Sequence, residues 1–382
     1  MSNIQQQVEQ AVAAYRRLLE EQLERCDRMA AETGKVDWIN APHITVGLCA
    51  GDGIGPIIMR EAKRVMEYLL ADEIAKGRVE LRDIEGLTIE NRIAVGKAIP
   101  DDVLAELKAC DVILKGPTTT LNGGTLESAN VAMRRELDLY ANVRPVVVPQ
   151  EGIDWTFFRE NTEGEYVLGS RGVEIEGKLA MDFKVTTDLG TERIARAAFD
   201  YARQNGKTSV AIITKANIMK KTDGKFSAIC HRIAQEYPEI TADEYYIDIM
   251  TANLVNARNR NKYQVFVLPN LYGDIITDEA AQIQGGVGTA GSANLGDRHA
   301  MFEAIHGSGL RMMQEGRGEY ANPSSVMKAA AMLMRHIGYG EKASRLESAL
   351  ITCNETEKRV VMTGNSTGAT AKEFADYVME KL

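Results

Sequence analysis

Excess positive charge is the first thing this chain lacks: 45 Lys and Arg stand against 54 Asp and Glu, a net charge of −9. That balance excludes the broad electrostatic attraction that nucleic acid or an anionic membrane surface requires. An anionic ligand must instead be met by a local cluster of cations. Long hydrophobic runs are missing too, and none approaches membrane-spanning length. The start carries no secretory pattern. The five cysteines, Cys26, Cys49, Cys110, Cys230 and Cys353, are scattered, without Cys-x-x-Cys or zinc spacing. They read as small core residues of a reduced, cytoplasmic protein. There is no internal repeat and no low-complexity linker. What remains is 382 residues at 45% hydrophobic, enough for a sizeable core in two lobes interleaved in sequence.

Apolar positions at Val8, Val12, Tyr15, Leu19 and Leu23 give the opening, 5–31, a helical period that ends near Gly34. It is expected to pack against the body or a partner subunit. From His43 the pattern becomes strand, Gly-rich turn, helix. Strands are predicted at 44–48, 79–84, 112–115, 209–214 and 265–268, with helices at 100–109, 191–203 and 227–235. Such alternation implies an α/β architecture with a largely parallel core sheet. The stretch 165–184 alternates around Glu176-Gly177 and reads as a hairpin, an arm suited to exchange with a second subunit.

The segment Asn270 to Asp278 follows the apolar run 265–268 and sets Asp274 and Asp278 four positions apart. On a helix both carboxylates face one side, where a hard divalent cation can take them as oxygen ligands. The alternative is a helix cap at Asp274 and a solvated Asp278. Gly51-Asp52-Gly53-Ile54-Gly55-Pro56 departs from the spacing of a dinucleotide fingerprint, and a tight turn bearing an aspartate competes with a phosphate cradle. Lys115, Thr118 and Thr119 end a strand; Ser128, Asn130 and Arg134 follow, then Arg144 and Arg159. Guanidinium pairs with carboxylate bidentately, so three arginines suit a substrate with several carboxylates. Surface ion pairs with Glu136 and Asp138 are the competing explanation. Tyr166 is a packing residue or a proton donor, and Lys215 a loop lysine or a base at the carboxyl end of a strand. Glycines flank His306 closely, which suits the approach of a nucleotide.

Taken together, these segments resemble the β-decarboxylating isocitrate and isopropylmalate dehydrogenases. Gly51 to Pro56, Lys115 to Pro117, Arg159 to Asn161, Lys215 to Lys220, Asn270 to Asp278, Glu303 to Gly307 and Asn322-Pro323 stand in that family's order. The resemblance implies that family's two-domain α/β fold and not a Rossmann fold. It implies an extension at 1–40, a large cofactor-binding domain at 41–139 plus 285–382, and a small domain at 140–284 with a dimer arm about 164–187. Ser128-x-Asn130-x-x-x-Arg134 is similar to the isocitrate branch, where serine and asparagine hold the distal carboxylate. An alkyl group there would leave both unsatisfied.

The implied roles follow position by position. Ser128, Asn130, Arg134, Arg144 and Arg159 take the substrate; Tyr166 and Lys215 are the acid–base pair. Asp274 and Asp278 hold magnesium or manganese, joined by Asp248 of a neighbouring subunit. Thr119, Asn217, Glu303, His306, Gly307 and Asn322 line the nicotinamide cofactor. Arg311 stands where NAD-using members place an aspartate and favours NADP, with NAD still open. The implied activity is oxidative decarboxylation of isocitrate to 2-oxoglutarate and carbon dioxide, a reaction of the tricarboxylic acid cycle. The implied assembly is a homodimer or higher homo-oligomer with shared active sites. Homoisocitrate, isopropylmalate or a related 2-hydroxy acid is the alternative substrate, and a non-catalytic regulatory subunit the alternative role.

Overall fold

The computed structural model of the chain describes residues 3–31, 34–120, 126–169, 171–286 and 290–382. Its strands are β1 (Ile44–Cys49), β2 (Val79–Ile84), β3 (Val112–Lys115), β4 (Ala141–Val148), β5 (Ile153–Glu160), β6 (Val173–Ile175), β7 (Leu179–Met181), β8 (Ser209–Thr214), β9 (Thr241–Tyr246), β10 (Val265–Leu268), β11 (Gly291–Leu295) and β12 (Ala300–Ala304). They are divided between two compact units. The smaller holds Met1–Lys35 and Trp155–Ile276, the larger Val36–Asp154 and Thr277–Leu382. Among the described residues no helix is long and apolar enough to cross a membrane.

In the larger unit the strand order is β2-β1-β3-β12-β11-β4. Parallel pairing joins β1 to β2 and β3, and β3 to β12, while β11 runs antiparallel to both its neighbours. β1 and β3 are buried at every position, as expected of apolar strands covered on both faces. Register then does chemical work: Lys115 at the end of β3 stands beside Glu303 of β12.

In the smaller unit β5, β10, β8 and β9 form a parallel array. Phe157 and Phe266, partners in register, stack with centroids 4.3 Å apart beneath Trp155. The same register sets Arg159 beside Leu268, where β10 gives way to the helix Asn270–Gln284. Lys215 directly follows β8, and Asp248 opens the helix Ile247–Val255 after β9. Three carboxyl ends of parallel strands thus carry the predicted polar residues, as ligand-binding α/β sheets do.

The predicted hairpin forms as β6 and β7, with Gly177 at φ 69° in the turn; position 170 of the expected arm lies outside the described residues. The leader helix Asn3–Ala31 packs Leu18 against Val167, Leu168, Phe183 and Val185. Arg25 also reaches Glu163 at 2.9 Å. The leader therefore clusters with the smaller unit. The two units divide at 154/155 and 276/277. Pairing of β4 with β11 draws that strand into the larger unit.

Candidate active site

In the smaller unit Arg159 is fully buried and spreads its guanidinium over two partners of the helix Asn270–Gln284. Nε and Nη2 donate to Asn270 Oδ1 at 3.0 and 2.6 Å, and Nη1 to Asp274 Oδ1. The other oxygen of Asp274 accepts from the Tyr166 hydroxyl at 2.8 Å, and the guanidinium lies 5.3 Å from the Tyr166 ring centroid. Gly273 permits this closeness, because a Cβ there would stand 2.4 Å from Arg159 Cγ. Asp274 lies in the second turn of a helix that starts at Asn270, so it is no cap. Lys215 Nζ pairs with Asp248 Oδ1 at 2.7 Å, and that hydrogen bond holds the Asp248 carboxyl below its ordinary range. The Lys215 backbone N–H donates to buried Asp223, which pairs with Lys184 at 2.6 Å.

The larger unit gathers a second set of charges. Glu303 Oε2 meets Lys115 Nζ at 2.9 Å, while Oε1 accepts from Asn294 at 2.8 Å and lies 3.4 Å from Arg134. Burial would raise the Glu303 carboxyl, but Lys115 and Arg134 outweigh it and hold the group well below the usual range. Among the described residues the buried Nε of Arg134 has no partner, a donor left for an incoming anion. The competing surface ion pairs fall to Arg135, which meets Glu127 at 2.5 Å and Glu136 at 3.6 Å. Arg144 donates to Thr277 at 2.6 Å and Asp278 at 3.1 Å. Asn130 accepts from Thr118 at 2.8 Å, and Thr120 reaches Ser128 at 3.4 Å. The start of the helix Ala129–Glu136 is thus tied to the residues that follow Lys115.

The Gly-rich turn is a tie, not a phosphate cradle. Three of its N–H groups are spent on the chain's own carbonyls, Asp52 donating to Pro117 O at 2.8 Å, Ile54 to Ser308 O at 2.9 Å and Gly55 to Asp52 O at 2.9 Å. Asp52 accepts from Ile89 N and Thr119 N at 2.7 and 2.6 Å. At Gly53, φ is +59° and a Cβ would meet Ser308 O at 2.1 Å. The Thr119 and Ser308 hydroxyls lie 2.8 Å apart. Beside them, His306 is made less basic by burial, and among the described residues its buried Nε2 has no partner. Gly307 opens onto free space. Asn217 is exposed, Asn322 accepts from Ser324 N at 2.9 Å at the start of a helix, and Arg311 is 87% exposed and pairs with Glu315. An orphaned imidazole nitrogen and an open glycine beside a hydroxyl pair fit a nucleotide.

Sequence reasoning passed over Arg92, which is buried and donates to Thr119 O at 2.8 Å and Glu127 O at 3.0 Å. Bonds to distant carbonyls leave no local pattern to read. Among the described residues no three acidic, histidine or cysteine side chains converge, so Asp248 does not join Asp274 and Asp278 within one chain. The helix itself offers two carboxylates one turn apart, an oxygen-only donor pair that fits a hard divalent cation.

The family model for isocitrate/isopropylmalate dehydrogenase matches residues 45–378. An NADP isocitrate dehydrogenase of Rickettsia bellii is 37% identical over 90% of this chain and 70% of its own length. Subunit 2 of the mitochondrial NAD isocitrate dehydrogenase of Schizosaccharomyces pombe is 33% identical over 89% of this chain and 88% of its own. The crystal structure of isocitrate dehydrogenase from Methylococcus capsulatus superposes with a TM-score of 0.78 at 34% identity, covering 89% of this chain and 99% of that one. Matches of this extent and identity go beyond a shared fold: the chain belongs to the isocitrate/isopropylmalate dehydrogenase family.

Proposed function

We propose that this chain catalyses the NADP- or NAD-linked, divalent-cation-dependent oxidative decarboxylation of isocitrate to 2-oxoglutarate and carbon dioxide. The observation that carries the reading is the contact series Arg159–Asp274–Tyr166, in which one carboxylate orients both a buried cation and a phenol. A bound divalent cation would supply positive charge that polarises the substrate's oxygens, and a bound nicotinamide would take the C2 hydrogen with its two electrons as hydride. Arg134, Arg144 and Arg159 receive the carboxylates, fixing the substrate before any bond changes. Lys215 takes the proton of the 2-hydroxyl. Tyr166 returns a proton to the carbon that loses carbon dioxide, its hydroxyl aimed by Asp274. Asp248 and Lys215 act across a dimer, completing the cation and proton chemistry of a neighbouring subunit.

Ser128 and Asn130 favour isocitrate, since hydroxyl and amide donors lose their partners if an alkyl group replaces a carboxylate. Arg311, open to solvent, favours NADP through its reach toward a 2′-phosphate. The test is steady-state reduction of NAD and NADP by the purified chain with magnesium and each candidate acid. Turnover with isocitrate is expected. Turnover with isopropylmalate or homoisocitrate alone would replace the substrate, and silence with every acid would make the chain a regulatory subunit. Arg311→Asp is expected to move preference toward NAD; an unchanged ratio means that Arg311 faces away from the nucleotide.

A further inference from the structure

The leader helix Asn3–Ala31 carries more apolar surface than its own chain covers. Its inward side is made of Gln7, Ala11, Ala14, Leu18, Gln22 and Arg25, and Leu18 is its one buried large apolar residue among those described. Tyr15 also sets its ring 5.3 Å from that of Phe183, and polar contacts run from Lys178 to Gln7 at 2.8 Å and from Arg25 to Glu163 at 2.9 Å. Meanwhile Ile4, Val8, Val12, Tyr15, Leu19 and Leu23 are 45–67% exposed.

Those residues follow one another at intervals of 4, 4, 3, 4 and 4. Ile4, Val8 and Val12 recur as Tyr15, Leu19 and Leu23 eleven positions on, a period that keeps the stripe nearly straight along the helix. The series of intervals is the same in both directions. Turned end for end about an axis between Val12 and Tyr15, a second copy sets Ile4 opposite Leu23, Val8 opposite Leu19 and Val12 opposite Tyr15. On the exposed flank Glu9 and Arg16 stand on either side of that axis, so each Glu9 approaches the other copy's Arg16. Exposed Leu179 and Met181 add apolar surface on the hairpin whose β6 the helix packs against.

We infer that the leader helix is a self-association surface that pairs antiparallel with the leader of a second copy of this chain. This goes beyond the assigned reaction and does not depend on it. It is tested by disulfide trapping in the full-length chain carrying Cys26→Ser, with Val8→Cys, Leu19→Cys, or both. In the antiparallel pair positions 8 and 19 of different copies face each other. Two copies of position 8 lie ~16 Å apart along the axis, beyond the ~7 Å Cα reach of a disulfide. Mild oxidation is expected to link chains of the double variant, and of a mixture of the two single variants, but not either single variant alone. Efficient linking of Val8→Cys alone would mean parallel helices and overturn the inference; so would no linking anywhere. Adding Val12→Glu to the double variant is expected to lower the linked fraction at least tenfold, and retention would expose random collision in place of packing.

Discussion

Glu303 is drawn in two directions: burial raises its carboxyl, and Lys115 with Arg134 pulls it well below the ordinary range. A carboxyl depressed in the folded state contributes stability that is fully present above the unfolded value, about 4.3, and is lost as pH falls below it toward the folded value. Glu303→Gln leaves the Lys115 and Arg134 charges uncompensated, at an expected cost of about 3–5 kcal/mol at pH 7. Urea unfolding at pH 7 and pH 4 reads this, with the difference from the parent smaller at pH 4; a loss below about 1 kcal/mol at pH 7 would mean that the cluster does not hold the fold. Lys215 calls for the opposite behaviour. Its Nζ meets half-exposed Asp248, while its backbone bond to Asp223 survives any side-chain change. Lys215→Met is therefore expected to lower turnover about 10²- to 10⁴-fold with the unfolding midpoint unchanged. Near-parental kcat would remove this lysine from the chemistry.

The helix Asn270–Gln284 is the element in which sequence and structure agree most directly. An apolar strand, a turn and two carboxylates four positions apart are local signals, and 3.6-residue periodicity converts them into one acidic face. What the residues did not disclose is how tightly that helix meets β5, since closeness depends on register between distant strands. Gly273 records it. Gly273→Ala places a methyl group 2.4 Å from Arg159 Cγ, so the helix or the arginine must move. Overpacking of this kind is expected to cost about 1–3 kcal/mol. A larger effect is expected on KM for the acid substrate, because Arg159 reaches Asp274 and Asn270 through the contact that is disturbed. A KM within twofold of the parent would show that the arginine absorbs the change. Arg134 makes a parallel case: its partner Glu303 lies 169 residues on, a meeting of the helix Ala129–Glu136 with β12 that no local pattern reveals. The surface ion pairs weighed from the sequence belong to its neighbour Arg135.

At the scale of the whole chain, alternating strands and helices made the α/β class legible, because it follows from local periodicity. The unit boundaries were not, since pairing of β4 with β11 joins segments 150 residues apart in sequence. Nor was the place of the leader, whose tie to the smaller unit spans 138 residues from Arg25 to Glu163. Glu163 is 3% exposed at its side chain and also accepts from Thr187 N at 2.8 Å. It stands beside Glu160, whose carboxyl is pushed up to about 7 by burial and by the Glu163 charge. Arg25 is therefore the leader's cation for an acidic pair set just after the Arg159 strand end. Arg25→Met removes it from a site water hardly reaches, with an expected loss of about 3 kcal/mol. If that loss arises from an unpaired buried charge and not from poorer helix packing, neutralising the acid must restore part of it. The double variant Arg25→Met/Glu163→Gln should then be less destabilised than the sum of the single changes by about 1 kcal/mol or more. Four urea curves at pH 7 decide the matter. Strict additivity would show that the leader is held by Leu18 and its apolar neighbours alone, with the arginine incidental to the fold.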